Sequence, residues 1–567
     1  MKFFLLFLAF ASTLCAESIE KKVSAHLAIH DTTQALSEVQ AALKVDPDNW
    51  SLMRLEILCL AKKKDIPALL ASYRRYTTHS STPLDPQLLE EISWAIIKQA
   101  SLSNSSVIRQ EALISAVLAN SSESIPLFLQ ALVDPSNDVR MLALKLAQRT
   151  RDDPIQKQLF EHFVHTSSPH ERILSMLSLA AASNSEIQEK LSQVLFEETT
   201  SANEKMAAIH AMAYCLPNRL PEEIAPLLSS NRALLRAAAC QIALHIDCPD
   251  SLLKQIQPLV YDSCPQVRYS ALTTLGLLSK NSDFITDSFL ALCQHSDAKT
   301  SLLASWALLI HNHPELAENA IKKHLKSQDL DVACFAASVV AQSGSAGTSL
   351  SIWGIHTIDN PFVAVNLAMG LIWQRKELQL AKEAILEMLN RKAERISWHQ
   401  EGIFSYISKS HVTHVAYIPY LPETEDLMTR LDLIKRLAVC DMRKLDTILK
   451  PLLQERAWGI TGQAASIMIQ EGLDGFECLE SLLNDKNAEV ALQAAFILAS
   501  QTQSEKALDI FEKQYWQASR HIKEQILVGI GQIGHKRSLN FLVKVLDEPF
   551  ESLRISAARS ILLCLEH

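Results

Sequence analysis

The chain has 567 residues, 48% of them hydrophobic, with only 13 Gly and 20 Pro and a formal net charge of −9. That is too apolar for disorder and too poor in glycine for a large β protein, so the expected fold is all-α. An acidic chain without a Lys/Arg cluster lacks the positive footprint that a phosphate backbone requires, and nucleic acid is excluded as the expected partner.

The first element is a targeting segment. Met1-Lys2, the apolar run Phe3 to Ala11 and then Leu14-Cys15-Ala16-Glu17 give a positive start, a short apolar core and a small residue at the cut. Cleavage is expected between Ala16 and Glu17, which exports the mature chain to the periplasm or cell envelope, or secretes it. A lipoprotein would start at Cys15, but Leu14 is bulky where such sites want a small residue. Beyond Ala16 no stretch approaches 18 consecutive apolar residues, and the densest runs only from Leu302 to Ile310. No transmembrane segment is expected in the mature chain.

Residues 17–100 form the next region. Ala35 to Asn49 reads as a helix ending in the turn Asp46-Pro47, followed by helical stretches from Trp50 to Ala61 and from Ile66 to Tyr76. The spaced alanines and the Pro-marked turn make this region similar to a tetratricopeptide unit. Ser81 to Pro86 marks its boundary.

From residue 101 to 567 one phrase keeps returning at a mean step of about 32 residues: an aliphatic residue, then Arg, then Ala three positions later. It reads Ile108-Arg109-Ala112, Val139-Arg140-Ala143, Leu235-Arg236-Ala239, Val267-Arg268-Ala271 and Leu553-Arg554-Ala557. Where Arg is lost the register persists, as at Lys205, Thr300, Ala333, Ala364, Ala491 and Lys523. A unit of this length cannot bury its own apolar face and must stack on its neighbours, which predicts a right-handed α-solenoid of helix pairs touching only adjacent repeats. In Leu132 to Thr150 a first helix ends near Val133 and Asp134-Pro135 turns the chain. Asn137 or Asp138 is then placed to cap a second helix that buries Val139, Leu142, Ala143 and Leu146.

These units resemble HEAT repeats of the short bacterial, armadillo-like kind. Asp134, Asp262, Asp485 and Asp547 match the turn Asp of that family; Arg140, Arg236, Arg268 and Arg554 match its Arg; Leu275-Gly276 matches its tail. The resemblance implies a ladder of ion pairs between these acids and arginines, with Arg140–Asp134 and Arg268–Asp262 as the pairs within one unit. Between about 374 and 451 the pattern blurs around Trp398, Phe404, Tyr406, Tyr417 and Tyr420. There Ile396-Ser397 and Thr429-Arg430 are its weak anchors.

Other motifs read as structure. Gly529, Gly531 and Gly534 spell a dinucleotide fingerprint but follow no strand, and the repeat register makes them a helix crossing and a helix C-cap. The pairs His162/His165, His311/His313 and His411/His414 lack the further ligands of a closed zinc site. Cysteines fall at core positions, with Cys248 and Cys264 the candidates for a disulfide beside their prolines. No nucleophile, metal or cofactor constellation stands apart from the repeat. The function expected is therefore an exported, non-enzymatic scaffold that holds a protein partner on a concave surface. The alternatives are a lyase of the kind HEAT-like proteins supply for protein-bound bilin pigments, an outer-membrane assembly factor, or a secreted effector.

Overall fold

The structure, a computed structural model, describes residues 19–80, 84–180, 185–197, 199–215, 220–279, 283–410, 421–441, 447–449, 460–472, 475–502 and 504–566. The expected signal and its cleavage point at Ala16 and Glu17 lie outside them, as do His411, His414, Tyr417 and Tyr420. The fold is all-α, a solenoid of stacked helix pairs, and the described residues contain one departure from it, a two-stranded antiparallel hairpin of Ile396–Glu401 and Phe404–Lys409. No described helix is long and apolar enough to cross a membrane.

The helices form where the sequence places them. Near the start, Thr32–Val45, Trp50–Lys63 and Ile66–His79 each begin at a side-chain cap. Asp31 accepts from the Gln34 N–H, Asn49 from Ser51 and Leu52, and Asp65 from Ala68, which satisfies amides that a helix start leaves unpaired. In the best-written repeat the second helix is Asn137–Ala147, and its cap differs from expectation. The N-cap is Ser136, without a side-chain bond, while Asp134 accepts the Ser136 N–H in an Asx turn. The Asp of the turn thus holds the amide of the N-cap residue itself, and the N-cap is neither Asn137 nor Asp138. Asp262 and Asp485 make the same bond, to the N–H of Cys264 and of Asn487.

The chain forms two compact units, residues 1–165 with 476–567, and residues 166–475. In the second unit the helices Pro169–Leu179, Ala202–Cys215, Ala233–Ala243, Pro265–Leu278, Ala298–Ile310, Leu330–Ala341 and Pro361–Gln374 pack each on the next. These are the second helices of their repeats, and the slot residue of the sequence phrase sits in the first turns of each. Gly276 permits one of these crossings, since a Cβ there would lie 2.7 Å from the Trp306 ring.

In the first unit the repeat rule of neighbours only is broken. The final helix Glu551–Glu566 packs on Arg520–Ile533 before it, and also on Pro86–Ala100 and Ser106–Leu118, the first repeat of the array. Its residues from Leu553 to Leu562 are consequently buried almost all round, Arg559 included at 8% exposure. Arg74 of the helix Ile66–His79 adds an ion pair to Asp547 at 3.1 Å. A helix buried on nearly every side needs a partner on every side, and Pro86–Ala100 with Ser106–Leu118 supplies one of them.

Ile561 is fully buried in this helix. Ile561→Ala is expected to destabilise the first unit by about 2–5 kcal/mol, and deletion of 551–567 to expose Pro86–Ala100 and produce concentration-dependent self-association. Chemical denaturation checks the first outcome and sedimentation velocity the second.

Candidate functional site

The most repeated charged residue of the chain is a connector between repeats. Arg109 donates from Nε and Nη2 to both carboxylate oxygens of Asp134 at 2.7 and 2.8 Å, and from Nη1 to the Ser103 carbonyl. Arg236 repeats this on Asp262 at 2.8 and 2.9 Å, with Nη1 on the Ser230 carbonyl. The acid therefore pairs with the Arg of the preceding repeat. Arg140 and Arg268 send Nη1 to the backbone carbonyls of Asp134 and Asp262 instead. Arg268 then reaches forward, Nε to the Thr300 hydroxyl and Nη2 to 3.6 Å from Asp297.

The last turn corrects the register once more. Asp547 lies outside the ladder, on Arg74, because the acid six residues before Arg554 is Glu548; Glu548 receives Lys523 at 2.7 Å, and its carbonyl receives Arg554. Asp485 sits in a turn of the same kind. Burial raises the Asp134 pKa, but the bonds from Arg109 and the Ser136 N–H outweigh it and hold the carboxyl below its usual range. For Asp262 the Arg236 bonds are the largest cause of the same depression. None of this leaves the ladder open to a ligand.

The cysteines and histidines that might carry chemistry are also spent on packing. Cys240, Cys334 and Cys564 are buried, and burial pushes each thiol up to about 12, far from the thiolate a nucleophile needs. Cys248 and Cys264 carry free thiols. His311 is buried with Nε2 3.0 Å from the Gly276 carbonyl, and among the described residues no cluster of His, Cys, Asp and Glu could hold a metal ion. Gly534 is the left-handed C-cap of Arg520–Ile533, at φ 68°.

The feature that sequence reasoning missed is the hairpin, and it lies on the face of the second helices. Phe404 meets Trp306 edge-on at 5.2 Å and Phe335 at 5.5 Å, and Tyr406 meets Phe335 at 6.1 Å. Asn366, 1% exposed, reads the strand backbone. Its Oδ1 accepts the Ile407 N–H and its Nδ2 donates to the Ile407 carbonyl, both at 2.8 Å. Gln342, with its carboxamide nitrogen turned to the strand, donates to the Ile403 carbonyl and accepts the Ser405 N–H at 3.2 Å. Ser408 donates to Asp331, and Lys299 pairs with Glu401 at 2.6 Å. Two side-chain amides thus take the place of a third strand along this edge. The signal for the hairpin was available in ISWHQE-GI-FSYISK, two β-prone runs around Gly402 at φ 60°, as a two-residue hairpin loop wants.

Beyond the hairpin tip the face opens into a cleft of about 460 Å³, floored by Leu244, Thr273, Leu303, Phe335 and Phe404, a size typical of ligand pockets at ~300–1,000 Å³. Along the same face, nine residues after the slots Lys205, Arg236, Arg268, Ala333 and Ala364, stand Tyr214 at 81% exposure, His245, Leu277 at 49%, Gln342 and Trp373 at 48%, while the slot Thr300 places the fully buried Leu309 at this position. Gln342 of this row touches the hairpin, so the row marks the side on which the hairpin lies.

Residues 477–562 match the family model of HEAT repeats. No curated protein matches the chain. Among solved structures it is similar to the YibA protein of Escherichia coli, with 13% identity over 47% of this chain and 96% of that one and a TM-score of 0.34. It is similar also to karyopherin Kap121p bound to the SUMO protease Ulp1p, with 11% identity over 97% and 86% of the two chains and a TM-score of 0.35. The UNC-45 chaperone, described as critical for binding and folding muscle myosin, gives 11% over 98% and 82% and a TM-score of 0.31. At these scores none of them supplies a function for this chain.

Because the Asp262 carboxyl titrates below its ordinary range, its pair contributes fully above the unfolded value near ~3.9 and is lost as pH falls through the depressed one. Arg236→Ala is expected to cost about 1–3 kcal/mol at neutral pH and to shrink the acid-induced loss of stability; denaturant melts across pH read both. Asn366→Ala leaves the Ile407 amide and carbonyl unpaired and is expected to cost about 1–3 kcal/mol. Hydrogen exchange would show it as faster exchange at Ile407, with Ser405, held by Gln342, as the internal reference.

Proposed function

We propose that this chain is an exported, non-enzymatic scaffold that holds a protein partner along the face of its second helices. The observation that carries the reading is the hairpin. A stretch of extended chain already lies on that face, recognised through its backbone by Asn366 and Gln342 and through its aromatic side chains by Trp306 and Phe335. A surface that binds one extended segment this way suits another, and the exposed row of Tyr214, Leu277 and Trp373 offers apolar anchors beside it. The HEAT repeat match at 477–562 agrees with a fold built for protein contacts.

The non-enzymatic part of the reading rests on the buried, high-pKa thiols and on the ladder carboxylates Asp134, Asp262 and Glu548, which are engaged by Arg109, Arg236 and Lys523. Export to the periplasm or cell envelope rests on the order of charge, apolar run and small residue in Met1 to Glu17. The region 17–100 is read as a tetratricopeptide-like helical segment.

The mature protein is expected to start at Glu17 and to fractionate outside the cytoplasm. A photo-reactive residue replacing Leu277 or Trp373 is expected to capture a discrete protein in intact cells, while one replacing Lys323 on a first helix captures none. N-terminal sequencing that finds Met1 removes the export claim. Equal capture at Lys323, or none at Leu277 and Trp373, removes the scaffold claim.

A further inference from the structure

We infer that the cleft at the hairpin tip is an anchor pocket that takes one aromatic or branched aliphatic side chain from an extended segment of the partner protein. The inference rests on the scaffold reading and adds a place and a chemistry to it. The place follows from continuity. Glu401 to Phe404, the tip of the hairpin, is one wall of the cleft, and the strand behind it lies along the same face. An incoming segment would continue the path that the chain itself occupies over Leu330–Ala341 and Pro361–Gln374.

The chemistry follows from what the occupied part selects. Over the hairpin, the face accepts Phe404 and Tyr406 between aromatic rings and meets the backbone with carboxamides. The cleft continues both features, with Leu244, Leu303, Phe335 and Phe404 at its floor and the exposed carboxamides of Gln241 and Gln266 at its rim. Its charges do not ask for a charged ligand. Lys299 and Glu401 satisfy each other at 2.6 Å, and the Tyr269 hydroxyl is committed to Asp297 at 2.9 Å. A neutral, apolar side chain flanked by peptide groups is the occupant that leaves every one of these groups paired. The positive φ of Gly402 keeps the tip narrow, with open space where a side chain would stand.

The test uses the full mature chain and a library of random linear peptides displayed on phage. Peptides enriched on the wild type are expected to share an aromatic or branched aliphatic position, and to bind about tenfold more weakly, a loss of ~1.4 kcal/mol, to Thr273→Arg, which fills the cleft. Gln241→Asp, at an exposed rim position whose carboxamide donates to the Ser270 hydroxyl at 3.2 Å, is expected to weaken them in the same direction. Thermal melts keep the outcome separate from misfolding, and Thr273→Ser is expected to restore binding. Enriched peptides that bind both charged variants as well as the wild type overturn the anchor pocket and leave the scaffold reading intact. Enrichment of charged peptides without an apolar position overturns the chemistry. No enrichment, with capture still seen at Leu277, overturns the pocket alone; no enrichment and no capture overturns both.

Discussion

Six residues before the slot residue of a repeat the chain turns a corner, and the residue at that corner is grasped from two sides. Its carbonyl takes a hydrogen bond from the Arg of its own repeat, as Ser103 does from Arg109, Asp134 from Arg140, Ser230 from Arg236, Asp262 from Arg268 and Glu548 from Arg554. Its side chain, where acidic, takes the cation of the repeat before, as Asp134, Asp262 and Glu548 do. One guanidinium thereby fixes the shape of a turn and its distance from the next turn. Only a planar fork with five N–H donors can point along two directions at once. Lys523 makes the forward pair to Glu548, and Lys205 spends its ammonium on the Leu195 carbonyl.

Where the cation is absent, another interaction takes over the stacking. The slots Thr300, Ala333 and Ala364 belong to three successive second helices, and those are the helices most completely buried, with unbroken buried runs from Thr300 to Leu309, Ala333 to Ala341 and Phe362 to Ile372. Apolar area covered at about 25 cal/mol per Å² replaces the ion pairs, but it requires cover on the face that other repeats leave to solvent. The hairpin is that cover over the helices around Trp306, Phe335 and Asn366. Its root is held by Arg430, which pairs with Asp426 and donates to the carbonyls of Met388, Leu389, Arg391 and Glu394. Asp426 in turn accepts the N–H of Ile396, where the first strand begins.

The repeat, its phase and its turns were legible because one residue choice recurs at one spacing, and a spacing of that kind has a single physical meaning. The same signal carried the glycines at 276 and 534 to their correct roles. It carried less where the contact runs between repeats. Spacing within one unit pairs Arg140 with Asp134, whereas the carboxylate is turned toward Arg109, because the guanidinium of its own repeat is already drawn to the backbone of the turn. The cap at Ser136 and the place of Asp547 went astray for a related reason, since both depend on counting back from the Arg rather than on the presence of an acid. The hairpin was hidden by length. Six-residue strands do not hold a period against a helical background, and the aromatic residues Trp398, Phe404 and Tyr406 registered only as an interruption of it.

In a repeat array each helix normally packs on its neighbours alone, and an uncovered apolar face invites other chains. Here Glu551–Glu566 is buried on nearly every side, and the cover comes from Pro86–Ala100 and Ser106–Leu118 of the same chain. Arg559 is 92% buried, counted from its 8% exposure, and Glu111 is the acid that favours its charge against the burial that opposes it. Nearby Ser552 links Arg520 to Glu524. The Arg559 Nη2 and Glu111 Oε2 atoms are each buried without a hydrogen-bond partner among the described residues, a cost that the surrounding apolar contacts offset. The apolar residues therefore supply the adhesion of Glu551–Glu566 to Pro86–Ala100 and Ser106–Leu118, while the Ser552 contacts with Arg520 and Glu524 fix it on the other side against Arg520–Ile533.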